Sequence, residues 1–336
     1  MTPVIMEWES RLGRRLRVRD LYILSTVVKT GGMAKAARQL AMTQPAVSSA
    51  IANLEHMLGV RLLDRSPQGI EPTIYAEAML KRSVAVFDEL KQSVKDVAFL
   101  ADPTSGELSI GCPESIRATV LPRFIEHFST RYPKVVVHVH DVAAPANPNA
   151  GLRDRTFDLI FSRTDPQVPT WHAADDLTLE HLFDDPLVIA AGLRSRWASR
   201  RTIDIAELAD EPWILTPPGM WNYSGVEEAF RSRGLAMPKV RLFGFSAHLV
   251  NHFVANGPYV TAHPRSVARF CSLKALPIKL PVRPWLVTIV TLKKRTLSPV
   301  VERFIECARG VSNELAKDQP PSGRAKAVRA RALRTE

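Results

Sequence analysis

From Val18 the apolar residues return every three or four positions, at Val18, Leu21, Leu24 and Val28, which predicts one helical face closed by Gly31-Gly32. A second short helix follows over 33–40, where adjacent Ala36 and Ala37 leave room for another helix to approach closely. The third has a good N-cap in Thr43, Pro45 in its first turn, Val47, Ile51, Leu54 and Leu58 on one face, and Gly59 as its C-cap. Residues 60–73 read as two short extended pieces around the turn composition Pro67-Gln68-Gly69, a wing. A long helix is predicted over 73–100. Leu80, Val84, Phe87, Leu90, Val94 and Val97 lie along one stripe, with no internal Gly or Pro. At 1.5 Å per residue it spans roughly 40 Å, and a stripe of that length calls for a partner helix.

Asp102-Pro103-Thr104-Ser105-Gly106 punctuates the chain. Beyond it, strands at 107–111, 135–139, 157–162, 186–191, 213–215, 240–244, 259–261 and 285–292 alternate with helices at 119–132, 205–209, 225–232, 246–255 and 298–309. Such alternation argues an α/β domain with mostly parallel sheets. Residues 317–336 hold six Lys or Arg against two acids and no apolar period, which predicts a basic tail without a core of its own.

Composition narrows the function. At roughly 150 residues per domain, the 336 residues make about two domains, and the net charge of +11 favours a polyanionic partner. Cys112, Cys271 and Cys307 are odd in number and lack ligand spacing, so neither a disulfide framework nor a metal site is expected, and no cofactor is implied. The apolar runs fall short of the roughly 20 residues of a membrane span, and Glu7, Glu9 and Arg11 break any signal-peptide core. The chain therefore reads as cytoplasmic, with no membrane partner.

Helix, tight connection, helix over 34–59 fits a helix-turn-helix, whose second helix enters the major groove. A helical hairpin with one polar face would share that pattern, and the flanks decide between the two. Ala36, Ala37, Leu40, Gln44, Pro45, Ala46, Val47, Ser48, Ile51, Leu54, Glu55, Leu58, Gly59 and Arg65 together resemble the LysR-type transcriptional regulators. The resemblance is strong over about 17–100 and extends over 103–310 in organisation more than in detail.

It implies an α/β protein with an N-terminal winged helix-turn-helix, a long linker helix and a two-lobed effector domain of the periplasmic-binding-protein type. The expected segments are a basic extension (1–16), the DNA-binding domain (17–73), the linker and dimerisation helix (73–102), the effector domain (103–313) and a basic disordered tail (314–336). Within the effector domain the first lobe is expected at about 103–177 and 281–313, and the second at about 178–280. The chain departs from the family pattern at Leu63, Pro72-Thr73, Ala76, Ala50 and Asn53, so base preference does not carry over.

Double-stranded promoter DNA is the expected partner. Thr43, Gln44, Pro45, Ser48, Ser49 and Asn53 are the candidate contacts from the third helix, with Arg61 and Arg65 from the wing. Gln and Asn bond adenine bidentately, and the helix N-terminus near Thr43 favours phosphate. Arg65 has an alternative in a salt bridge to Asp64 or Glu55. In the family the linker helix pairs antiparallel, so Leu80, Val84, Phe87, Leu90 and Val94 are the dimerisation candidates for a homodimer or homotetramer.

A small-molecule effector is expected between the lobes at carboxyl ends of strands, where Pro113, Glu114, Ser115, Arg163, Thr164, Thr216, Pro217 and Ser246 fall. Arg163 could hold a carboxylate in bidentate fashion, while Glu114 would repel one or pair with Arg163, so an anionic effector stays open. The enzymatic alternative pairs Cys112 with His138, His140 or His263. Without GxSxG, HExxH or a phosphate-cradling glycine loop, no catalytic residues are expected and regulation is the reading.

Overall fold

Threonine, proline and glycine delimit the third helix as their chemistry requires. In the computed structural model, which describes residues 15–66, 69–142, 149–164 and 175–317, Thr43 is extended and its hydroxyl accepts from the Ala46 amide. Gly59 takes the left-handed conformation with φ 69° and returns its N–H to Glu55. That helix, α3 (Gln44–Leu58), follows α1 (Val18–Thr30) and α2 (Met33–Gln39), and the wing strands β1 (Leu63–Ser66) and β2 (Gly69–Pro72) pair antiparallel. Ile23, Leu24 and Val27 of α1, Ala36 and Ala37 of α2, and Val47, Ile51 and Leu54 of α3 form one buried core. The α1 stripe is thus rotated from the predicted one: Val18 is exposed, and Ile23 and Val27 are buried instead. One oxygen of the Glu55 carboxylate accepts from the Leu62 and Leu63 amides at 2.8 and 3.2 Å, tying α3 to the wing.

The long helix α4 (Ile74–Ala101) starts where Thr73 caps it. The chain divides into two compact units, 1–91 and 92–336, and α4 begins in the first and ends in the second.

The second unit holds two five-stranded sheets. The first has the order β4 (Lys134–Asp141), β3 (Ser105–Cys112), β5 (Leu159–Thr164), β12 (Trp285–Leu292), β6 (Leu177–Asp185). Strand β3 is parallel to β4 and β5, and β12 is antiparallel to β5 and β6. The short α5 (Glu114–Arg117), α6 (Leu121–Arg131), the short α7 (Ala150–Arg153) and α11 (Pro299–Lys317) belong to this lobe, where Phe124, Phe128, Phe161 and Phe304 are fully buried. The second sheet has the order β11 (Lys274–Ala275), β7 (Leu187–Ala191), β10 (Val260–Pro264), β8 (Trp213–Leu215), β9 (Val240–Phe243). Beside it lie α8 (Trp221–Arg231), α9 (Ala247–Asn256) and α10 (Arg265–Phe270), with Trp213 and Phe230 at its core.

Two expectations change. Residues 177–185 form the edge strand β6 of the first sheet, so the first lobe runs on to Asp185 and the crossing falls at Pro186, not near 178. The sequence LTLEHLFDD hid this strand because its charged residues face solvent or partners, Glu180 taking Arg309. Helix α11 continues to Lys317, four residues into the predicted tail, of which 318–336 lie outside the described residues. So do 1–14, which hold most of the basic extension, and 143–148, where the prolines predict a broken helix.

Asp158, buried ahead of β5, knits the first lobe together. One oxygen accepts from the Ser109 amide at 2.9 Å, the other from Arg295 at 3.0 Å, and Lys95 near the end of α4 stands 3.9 Å away. Removing one member of a buried pair strands the other charge. Arg295→Met should therefore cost about 3–5 kcal/mol of stability in urea unfolding, and a loss below about 1 kcal/mol would show that the pair is not a keystone.

Candidate functional site

Helix α3 is two-faced. Val47, Ile51 and Leu54 are sealed in the core, while Thr43, Gln44, Pro45, Ser49 and Asn53 are exposed and Ser48 is half-buried. A polar stripe of short side chains on a capped helix is what entry into a major groove requires. His56, Lys35 and Arg38 are exposed as well and were missed by the motif. Lys35 and Arg38 sit on α2 opposite Ala36 and Ala37, and that opposition was the available signal. In the wing, Arg61 is exposed and its carbonyl accepts from the Thr73 hydroxyl at 2.9 Å. Arg65 lies on β1 opposite Ile70, and its side chain is outside the described residues.

The apolar stripe of α4 is divided between two tasks. Leu80 packs on the core of the first unit, and the Phe87 ring meets Tyr22 edge to face at 5.8 Å. Val84, Leu90, Val94 and Val97 stay exposed, with Val94 and Val97 at 70% and 67%. Of the five dimerisation candidates, Val84, Leu90 and Val94 remain uncovered.

Between the two lobes lies a cavity of about 470 Å³. Pro113, Glu114, Ser115, Arg163 and Thr216 line it, whereas Thr164, Pro217 and Ser246 do not. Thr164 is buried at the end of β5, its hydroxyl 3.3 Å from that of Thr288. Ser246 caps α9, accepting from the Leu249 amide. Trp221, Trp285 and His263 also line it, and the two indoles meet across the lobes with centroids 4.5 Å apart and planes inclined at 32°. Sequence reading missed these three because each sits on an element whose neighbours across the cleft are distant in the chain.

The charges in the cleft are arranged differently from either expectation for Arg163. Its guanidinium is buried against the Asp185 carboxylate and donates to the Ser266 hydroxyl at 3.1 Å, and Ser266 in turn donates to Asp185 through its amide and hydroxyl. Asp185 closes β6, the strand absent from the predicted topology. Glu114 instead reaches across the cleft, accepting from the Ala247 amide at 3.1 Å and from the Ser246 hydroxyl at the N-terminus of α9. Burial, reinforced by the Arg163 charge, lowers the His263 imidazole from 6.5 to about 4, so it is neutral at pH 7. Three buried polar atoms on the cleft wall lack protein partners among the described residues: Thr216 Oγ1, His263 Nε2 and Trp285 Nε1. Unsatisfied groups gathered at one cavity are ready to bond a guest.

The constellation considered for catalysis does not assemble. Cys112 is fully buried and burial pushes its thiol up to about 12, so the nucleophilic thiolate is absent at neutral pH. His138 and His140 are exposed on the edge strand β4, and His263 lies in the other lobe. No helix among the described residues is long and apolar enough to cross a membrane.

Two sequence families match the chain. The profile described as "Bacterial regulatory helix-turn-helix protein, lysR family" covers residues 18–77, and that of the "LysR substrate binding domain" covers 101–313. The chain is similar to the HTH-type transcriptional regulator TdcA of Escherichia coli (strain K12), with 26% identity over 248 residues, 74% of this chain and 77% of the relative. Among solved structures, a full-length OxyR variant from Pseudomonas aeruginosa superposes with a TM-score of 0.59 at 20% identity, covering 88% of this chain and 95% of that one. Full-length CbnR in complex with its target DNA gives 0.50 at 23%, covering 88% and 100%. At these identities the structural likeness speaks to the fold. With both halves matched in order, the chain belongs to the LysR family of DNA-binding transcriptional regulators, a helix-turn-helix joined to an effector-binding domain.

Proposed function

We propose that the protein reads an operator in promoter DNA through the exposed face of α3, as a homodimer or homotetramer joined through α4, and that a small molecule held between the lobes alters this binding. In this reading it works in the cytoplasm by binding alone and turns nothing over. The observation that carries it is the exposure of Gln44, Ser49 and Asn53 on a helix whose opposite face is the domain core. Gln44, Ser48, Ser49 and Asn53 then face base edges. Thr43 and Pro45 bring the helix N-terminus to a phosphate, and Arg61 and Arg65 serve the wing contacts. In the cleft, Pro113, Glu114, Ser115 and Thr216 take the effector together with His263, Trp221 and Trp285, while Arg163 supports the wall.

With an operator selected from random-sequence DNA, Gln44→Ala should lose about 1–3 kcal/mol of discrimination against non-cognate duplex in gel-shift titrations. Arg61→Ala should weaken cognate and non-cognate binding alike and lower the salt slope by about 1. Binding that ignores salt, or a Gln44→Ala protein with unaltered discrimination, would exclude α3 as the reader.

Assembly has its own test. Leaving Val84, Leu90, Val94 and Val97 in water costs about 25 cal/mol per Å². Leu90→Glu with Val94→Glu should give monomers in sedimentation velocity. Phe87 is unsuitable because it already holds Tyr22. An assembly that survives the double change locates the interface elsewhere.

The neutral imidazole also makes stability depend on pH. His263 titrates near 4 in the folded chain against 6.5 when unfolded, so the unfolded chain takes up a proton first as the medium acidifies. Its contribution is complete above pH 6.5 and is lost as pH falls toward 4. The full loss is about 3 kcal/mol. Urea unfolding of His263→Asn, followed from pH 7 to about pH 5, should show a shallower decline than the parent. Parallel curves would mean that the group titrates normally.

A further inference from the structure

We infer that the cleft selects a flat aromatic guest carrying a positively charged amine over the isosteric carboxylate, with Glu114 as the selecting residue. The inference rests on the reading of this cavity as the effector site and assigns the class of its guest.

Charge balance across the cavity wall sets the sign. The cation expected to receive a carboxylate, Arg163, is buried against Asp185 and bonded to Ser266, so the pair contributes no net charge to the cavity. A second place for an anion, the N-terminus of α9, is already filled: Glu114 accepts from the Ala247 amide there, as a bound carboxylate would. Asp141, also on the wall, is matched by Arg117 at 3.5 Å. Glu114 meets only uncharged donors, and among the described residues no cation pairs with it. Among the described residues, the cavity wall therefore carries one net negative charge. An anion entering it loses hydration and meets repulsion, whereas an ammonium group gains a charge-assisted bond to Glu114.

A second observation independently indicates a guest. His263, nine-tenths buried, leaves Nε2 without a partner on the same wall, as do Thr216 Oγ1 and Trp285 Nε1. The imidazole is uncharged, so it offers a hydrogen bond and no counter-ion for a carboxylate. Trp221 and Trp285 supply apolar area for a planar body and electron-rich faces for a cation.

The test uses the full-length protein and two pairs of probes differing only in the charged head: tryptamine against indole-3-propionate, and phenethylamine against 3-phenylpropionate. Calorimetric titration should give each amine a Kd lower than that of its carboxylate partner by about tenfold or more. Glu114→Gln should collapse that ratio and Glu114→Asp should restore part of it, with thermal melts confirming that both variants are folded. Thr216→Val should weaken every probe that binds. Equal or tighter binding of the carboxylates, a ratio that survives Glu114→Gln, or no binding by any probe at millimolar concentration would overturn the inference. A carboxylate preference sensitive to Thr216→Val would sink only the charge assignment and leave the cleft as the effector site. Binding that ignores Thr216→Val would remove the cleft itself from that role.

Discussion

A buried ion pair at the crossing between the lobes constrains the cleft. Arg163 ends near the last residue of β5, Asp185 closes β6, and Ser266 opens α10 in the other lobe, so three elements meet on one pair of opposite charges. Neither charge can be buried without the other, because desolvating a lone ion costs far more than the protein can recover. That requirement fixes where the chain crosses at Pro186. It also takes from the cavity the one guanidinium that its sequence position had offered to a guest. Structure and specificity share one cause here: the cation that holds the lobes in place is for that reason unavailable as a receptor.

In the first unit the corresponding constraint is the division of α3 into two faces. Burial of Val47, Ile51 and Leu54 sets the rotation of the helix, and rotation alone decides that Gln44, Ser49 and Asn53 point outward. The Glu55 carboxylate, bonded to two successive amides beyond Gly59, fixes the start of the wing relative to that helix. Helix α4 obeys the same division of faces. What Leu80 and Phe87 cover within their own unit is withdrawn from the stripe, and the exposed remainder is Val84 together with Leu90, Val94 and Val97 farther along.

Local chemistry was legible in the sequence, and encounters between distant segments were not. Thr43, Pro45 and Gly59 are readable because a cap, a first-turn proline and a left-handed glycine act within a few residues of themselves. The α4 stripe is readable because a 3.6-residue period needs no partner to be recognised, yet its meeting with Tyr22 is invisible to any period. Strand β6 escaped because an edge strand tolerates charges that mimic a loop, and its loss hid Asp185 as the partner of Arg163. Glu114 shows the same limit from the other side. Placed beside Arg163 by strand ends alone, it looked like that residue's natural counter-ion, while its actual acceptor role depends on an amide 133 positions away.

Two polar contacts that bridge the lobes differ in how they can respond to a guest. Arg163 and Asp185 are buried, and displacing either would leave an uncompensated charge in the interior, so this contact acts as a fixed pivot. Glu114 is half-buried, its partners are an amide and a hydroxyl, and water can replace both at small cost. A ligand shifts a conformational equilibrium only through contacts that differ between the states. Of the two bridges, Glu114 alone can exchange its bonds across the cleft for bonds to a guest without stranding a charge. A guest that drew Glu114 away from α9 would loosen the mouth of the cleft while the pivot held, and that asymmetry is how the proposed effector would change the angle between the lobes.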